Sequence, residues 1–149
     1  MLIRAELITP AADQVVTLLE AKLHLRVAHD DEDALISAFI DAATDHLDGL
    51  TGTLGIALGP QTWRATYTEG SDTDCLPIGP VVSREDPVTA DGETTVNFVA
   101  GYPLGIPPAI RAAILLHVGT LYLNREQEAE KWQPTRVYEA LLAPYRRWI

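Results

Sequence analysis

The segment GYPLGIPPAIRAAILLHVGTLYLNRE, residues 101–126, limits the possible folds more than any other part of this sequence. Pro107 and Pro108 suit the first turn of a helix, where a missing N–H costs nothing and φ is already helical. The residues that follow are apolar on nearly every side, and such a helix must be covered on all sides. The segment therefore predicts a long buried helix within residues 107–126.

The sequence leaves two explanations for what covers this helix. In a chain of 149 residues it is either the central core helix of a compact monomer, or it is partly covered by another subunit of an oligomer. The residues predicted to lie in the core or in a subunit interface are Ile110, Ile114, Leu115, Leu116, Val118, Leu121 and Tyr122.

The first third of the chain predicts an arm and two helices. Residues 1–16 read as an extended arm, and residues 17–50 as the two helices. Thr17 and Glu20 have the spacing of a capping box, in which the Thr hydroxyl accepts the Glu N–H and the carboxylate reaches back. In residues 31–48, acidic residues precede apolar residues at helical spacing, with aspartates on the other side.

The middle of the chain, residues 61–100, predicts a small β region. Residues 61–67 and 94–100 alternate between apolar and polar side chains, which indicates half-buried strands. Asp91-Gly92 is a pair typical of hairpin turns. The expected fold is mainly α (α+β): a bundle of about four helices with a small central β-hairpin or sheet, in a single domain.

Residues 134–149 close the chain with apolar residues at helical spacing, interrupted by Pro144, which should kink or restart the helix. Trp148 and Ile149 are apolar although chain ends usually fray. This tail either folds back on its own core or docks on a partner.

Composition excludes some function classes. The net charge is −10 and the pI about 4.6, so DNA and anionic membranes should repel the chain as a whole. Residues 1–100 hold 17 acidic against 5 basic residues, whereas residues 101–149 hold 4 against 6. This asymmetry is either chance or a sign that the C-terminal part faces a different partner.

The expected compartment is intracellular. Cys75 is alone, so no internal disulfide is possible. The N-terminal residues lack a signal-peptide pattern, and the longest apolar runs are too short to span a bilayer.

No residue set predicts an enzyme, a cofactor site or a metal site. His24 and His29 do not share a helix face, and His46 and His117 stand alone in the sequence. In Asp45-His46-Asp48 the histidine points away from the two aspartates, so a solvated acidic face is the better interpretation. Phosphate-binding and nucleophile motifs are absent from the sequence.

Taken together, several segments resemble the head–tail connector proteins of tailed phages, also called adaptor or head-completion proteins, a family that includes gene transfer agent adaptors. They are TLLEAKLHLRV, DDEDALISAFIDAATDHLDGLTG, QTWRATY, VNFVAGY, the run P-x-x-I-R-x-A-I-L-L-x-V-x-x-L-Y-x-N-R-E and LLAPYR. They occur in the right order over most of the chain. Residues 68–93 are shorter than the β-rich insertion that members often carry.

This resemblance implies a ring-forming subunit, with twelve copies expected, in the neck below the portal of a phage or phage-like particle, assembled in the bacterial cytoplasm. The implied partners are the portal protein and a neck, stopper or tail-completion protein, and DNA passes through the channel without specific binding. The C-terminal segment is expected to dock on the portal. The predicted docking residues are Tyr145, Arg146, Arg147, Trp148 and Ile149.

Two other hypotheses compete with the connector. A small acidic interaction module or regulator shares the net charge and the missing active site, but it does not explain the ordered motifs. A small enzyme with an unrecognised site needs convergent polar groups in a pocket, and the sequence offers no candidate set.

Overall fold

The computed structural model describes residues 1–125 and 132–147 of the protein. Within these residues the helices are α1 (Leu18–Leu25), α2 (Asp33–Asp45), α3 (Pro108–Leu123) and α4 (Arg136–Leu142), and α4 runs into a 3₁₀ turn, Ala143–Tyr145. The strands are β1 (Leu2–Thr9), β2 (Gln61–Thr68), β3 (Val81–Arg84), β4 (Val88–Ala90) and β5 (Glu93–Ala100).

The five strands form one antiparallel sheet in the order β1, β2, β5, β3, and β4 also pairs with β5. The prediction of a helical bundle with a small central hairpin is therefore wrong. The fold is α+β, with a substantial sheet beside the helices.

The error arises because the sequence does not reveal strands β1, β3 and β4. Every residue of β3 and β4 is exposed, and in β1 only Ala5 is even half-buried. Burial on one face is what produces alternation in a sequence, so strands without a buried face have no such pattern. The residues predicted as an extended arm contain β1, which pairs with β2 from Leu2 to Thr9.

Two hydrophobic clusters lie inside the molecule. The helical cluster is built from α1–α4, and helix α3 contacts each of the other three helices. The sheet cluster lies on one face of the sheet, where the predicted inward residues of β2 and β5 are all buried. These residues are Trp63, Ala65, Tyr67, Val96, Phe98 and Ala100.

The connection between α2 and β2 joins the two clusters. Leu58 is buried in the helical cluster, whereas Ala57 is buried in the sheet cluster. The Asp48 carboxylate accepts the N–H of Leu58 at 2.7 Å and the Gln61 side-chain amide at 3.0 Å. Asp48 thus holds the start of β2 in place, and it does not belong to a solvated acidic face.

Local sequence signals fix the helix ends as expected. The predicted capping box is present: Thr17 Oγ1 accepts the N–H of Glu20 at 3.2 Å, and Glu20 accepts the N–H of Thr17 at 2.8 Å. The Glu20 carboxylate also binds Arg111 at 2.6 Å, which ties α1 to α3. Helix α3 begins at Pro108, in its first position.

Candidate docking surfaces

The C-terminal segment, here residues 134–147, packs on the helical cluster. The Thr135 hydroxyl caps α4 by accepting the N–H of Tyr138 at 3.3 Å. Tyr138 and Leu142 are buried and anchor α4 in the cluster. The α-helix ends at Leu142, because a proline at position 144 cannot donate the helical hydrogen bond and its ring clashes with the preceding turn.

Two arginines continue the segment in different ways. The Arg146 guanidinium binds the Glu139 carboxylate, seven residues earlier in the chain. The Arg147 N–H donates to the carbonyl of Leu54 at 3.1 Å, and its Nη2 donates to the carbonyl of Leu76 at 3.2 Å. Arg147 therefore fastens the segment to a loop of each cluster, so the chain folds back on its own core as far as this residue.

The predicted docking residues differ in how accessible they are. Tyr145 packs half-buried against the helical cluster, Arg146 is half-buried, and Arg147 is exposed. Trp148 and Ile149 lie outside the described residues. The docking role of these five residues stays a prediction.

Helix α3 is covered mostly by its own chain. Ile110, Ile114 and Val118 are fully buried. Leu115 and Tyr122 are half-buried against the helical cluster.

The remaining apolar residues of α3 differ in exposure. Leu121 is half-buried, Leu116 is 38% exposed and Leu123 is 81% exposed. Helix α1, which packs against α3, adds the exposed Leu19 and Leu23. The large exposed apolar side chains of these two helices are thus four leucines.

The end of α3 is tied to the start of α2 by polar contacts. The Glu32 carboxylate accepts hydrogen bonds from the Tyr122 hydroxyl and from Arg125, the latter at 2.6 Å. Both bonds lower the pKa of Glu32, and the bond to Glu32 raises the pKa of Tyr122. Tyr122 therefore has its partners within the chain.

Histidines that stand alone in the sequence meet in the fold. The rings of His46 and His117 lie 5.4 Å apart, and the Trp132 ring stacks on His117 at 4.2 Å. Burial, together with His46, lowers the pKa of His117 to about 4, so this histidine is neutral near pH 7. Neither His117 Nδ1 nor the buried Tyr138 hydroxyl has a hydrogen-bond partner among the described residues.

The edge strand β1 is an exposed apolar surface that the sequence did not predict. Leu2, Ile3, Leu7 and Ile8 are each 41–47% exposed. A cavity of about 880 Å³ adjoins Leu2, and a second of about 420 Å³ adjoins Leu7. The sequence marks this edge only by two apolar pairs, Leu2-Ile3 and Leu7-Ile8, on either side of the charged residues Arg4 and Glu6.

The described residues contain no group of three or more His, Cys, Asp or Glu side chains placed to hold a metal ion. The exposed Cys75 has no disulfide partner. No helix in the described part of the chain is long and apolar enough to cross a membrane.

This chain resembles known proteins both in sequence and in structure. The family model for phage gp6-like head-tail connector proteins matches residues 15–146. A chain in the virion of a native gene transfer agent (GTA) particle has the same fold, with a TM-score of 0.75 and 19% identity, over 99% of this chain and 97% of that one.

Two neck structures show the same likeness. A chain in the neck of an empty GTA particle, computed with C6 symmetry, gives a TM-score of 0.74 at 19% identity. A chain in the neck of a native GTA particle, computed with C12 symmetry, gives 0.66 at 20% identity. Both alignments cover 99% of this chain and 97% of the other. No curated protein matches the sequence.

Proposed function

The chain belongs to the phage gp6-like head-tail connector family, and from this membership we propose that it is a ring subunit in the neck of a GTA-like particle. The single observation that carries the proposal is the family match over residues 15–146, which includes both hydrophobic clusters and the C-terminal segment up to Arg146. It confirms the resemblance drawn from the motifs. The role of such a protein is structural: it connects head to tail.

The proposed assembly is a ring of twelve copies below the portal. The C12 symmetry used for the neck of a native GTA particle supports this number. In a cyclic ring each contact joins two different faces of neighbouring subunits. The exposed leucines of α1 and α3, which are Leu19, Leu23, Leu116 and Leu123, supply apolar surface for such contacts.

The proposed portal contact is the C-terminal end of the chain. Buried Tyr138 and Leu142 hold α4, and the bonds of Arg147 to Leu54 and Leu76 fix where the segment ends. Trp148 and Ile149 follow directly in the sequence and supply an apolar anchor next to a cation. Aromatic and arginine residues are those that most often dominate binding energy at interfaces.

The proposed neighbours are the portal protein on one side and a neck, stopper or tail-completion protein on the other. The proposal includes no catalytic step and no cofactor. DNA crosses the ring without specific binding, because an acidic subunit repels phosphate. Partial burial, together with the nearby carboxylates of Asp41 and Asp48, raises the pKa of Asp45.

The test uses DNA-filled heads that carry a portal but no tail. We expect the full chain to add axial density below the portal in electron micrographs. A chain lacking Trp148 and Ile149 should lose this density, whereas its melting temperature should stay within a few degrees of the parent value, because the anchors up to Arg147 are kept.

The matched control is Leu104→Ala, which removes a fully exposed apolar side chain far from the C-terminal segment in sequence. It should decorate heads as the parent does. Normal decoration by the truncated chain contradicts the docking assignment, and a lack of density with the full chain contradicts the connector role itself.

A further inference from the structure

Strand β1 has a free edge. Among the described residues it pairs with β2 alone, so its other side presents unpaired N–H and C=O groups. Long edge strands with exposed apolar side chains are templates for pairing with another chain. β1 is eight residues long, and four of its side chains are large, apolar and nearly half exposed.

The sequence of β1 is complementary to itself when it is read in reverse. When two copies of residues 2–8 are aligned antiparallel with Ala5 opposite Ala5, Leu2 lies opposite Ile8 and Ile3 lies opposite Leu7. The same alignment sets Arg4 opposite Glu6. Two antiparallel copies centred on Ala5 would therefore make four apolar pairs and two Arg–Glu pairs.

The sheet geometry agrees with this alignment. Arg4 pairs with Thr66 and Glu6 with Arg64, and residues two apart in a strand lie on one face of the sheet. Directly opposite residues in an antiparallel pair also share a face. Both arginines and both glutamates would therefore lie on the same face of a continuous sheet, within reach of each other.

Two features of β1 oppose indefinite edge pairing. Its register with β2 is irregular between Leu2 and Arg4 and again between Leu7 and Thr9. Bulges of this kind bend a strand and protect an edge from unlimited association. The regular stretch, Arg4–Leu7, contains Ala5 and both charges, so the charge-matched register pairs Arg4, Ala5 and Glu6 of the two copies within their regular parts.

We propose that β1 pairs antiparallel with β1 of a second copy of this chain, forming a two-fold symmetric dimer of the free protein. The contact joins the same patch on both subunits and therefore closes at two copies, unlike the contacts of a ring. The dimer covers the apolar edge of subunits that are not in a particle. This inference does not depend on the connector role.

The test reverses the charges one at a time and then together. Arg4→Glu and Glu6→Arg each replace both Arg–Glu pairs by like-charge pairs, and each should raise the dimer dissociation constant about tenfold or more. The measurement is sedimentation velocity over a range of protein concentrations. Arg4 and Glu6 are about half exposed, so the melting temperature should barely change.

The double variant R4E/E6R exchanges the two charges and should restore the parent dissociation constant. An equimolar mixture of the two single variants should also dimerise, because glutamates of one chain then face arginines of the other. Net charge alone predicts a different result for E6R: this variant is less negative than the parent, so weaker overall repulsion would strengthen its dimer instead of weakening it.

The control is Arg84→Glu on β3, which makes the same charge change at the opposite side of the sheet. It should leave the dissociation constant unaltered. A parent chain that is monomeric up to about millimolar concentration overturns the proposal. So does a failure of the double variant to restore pairing, or a dimer that Arg84→Glu disrupts.

Discussion

The helical half and the sheet half of this molecule differ in how well they bury their apolar residues. Helix α3 is the most apolar element of the sequence, yet Ile110, Ile114 and Val118 are fully buried by the chain's own helices. Strand β1 is less apolar and carries Arg4 and Glu6 in its middle, yet Ile3 and Ile8 are nearly half exposed.

The difference shows that hydrophobic content does not locate an interface. A helix that is apolar on most sides can be covered by three short neighbours when it lies at their centre. An edge strand has one neighbour, so even a moderately apolar strand leaves surface exposed. The candidate contact surfaces of this protein are therefore the edge strand, the exposed leucines of α1 and α3, and the C-terminal end.

The largest expected effect tests whether α3 is a core helix of the single chain. Ile114→Ala should lower the free energy of unfolding by about 3 kcal/mol, because it leaves a cavity in the helical cluster. Leu116→Ala, two residues further on and on the other side of the same helix, should cost less than about 1 kcal/mol, because its side chain is partly exposed. Urea unfolding of both variants gives the comparison. Equal losses would mean that the two faces of α3 are covered alike.

A pH-dependent effect of intermediate size should arise from His117 in the helical half. Its pKa of about 4 in the folded chain lies below the ordinary 6.5, so between these values the unfolded chain binds a proton that the folded chain does not. The stabilisation is present above pH 6.5 and decreases as the pH falls toward 4. From pH 7.5 to pH 5, we expect a loss of about 2 kcal/mol.

The measurement is urea unfolding at those two pH values, with His117→Gln as the comparison. The variant should lose clearly less stability over the same interval. Equal losses in parent and variant would show that His117 is not responsible. The carboxyl groups of Glu20, Asp30 and Glu32, whose pKa values are lowered, titrate mainly below this interval.

The smallest expected effect is on the edge strand. Ile8→Thr should change the free energy of unfolding by less than about 0.5 kcal/mol, because the side chain is exposed and threonine is favoured in strands. Val96→Thr, on the buried face of β5, is the matched control and should cost more than 1 kcal/mol, because it buries a hydroxyl in an apolar cluster. Thermal unfolding monitored by circular dichroism measures both, and a large loss for Ile8→Thr would contradict the free edge.

Much of the helical half could be predicted because its signals are local. Thr17 and Glu20 cap α1 through contacts three residues apart, and Pro108 starts α3 by its own φ. The family resemblance could also be predicted, since its motifs are short and ordered. The predicted inward faces of β2 and β5 are buried because each strand covers one face of a core.

The sheet's size and the contact surfaces could not be predicted in the same way. β1 contacts a strand more than fifty residues away, and β3 and β4 have no buried face to leave a pattern in the sequence. Arg147 meets Leu54 and Leu76, and His117 meets Trp132, only when the chain is folded.

The sequence by itself determined the helix starts, the two inward strand faces and the connector family. The tertiary structure alone decided that α3 is covered within the chain and that β1 is left open. The physical reason is that capping and periodicity depend on residues within a few positions of each other, whereas exposure depends on which distant elements lie on either side.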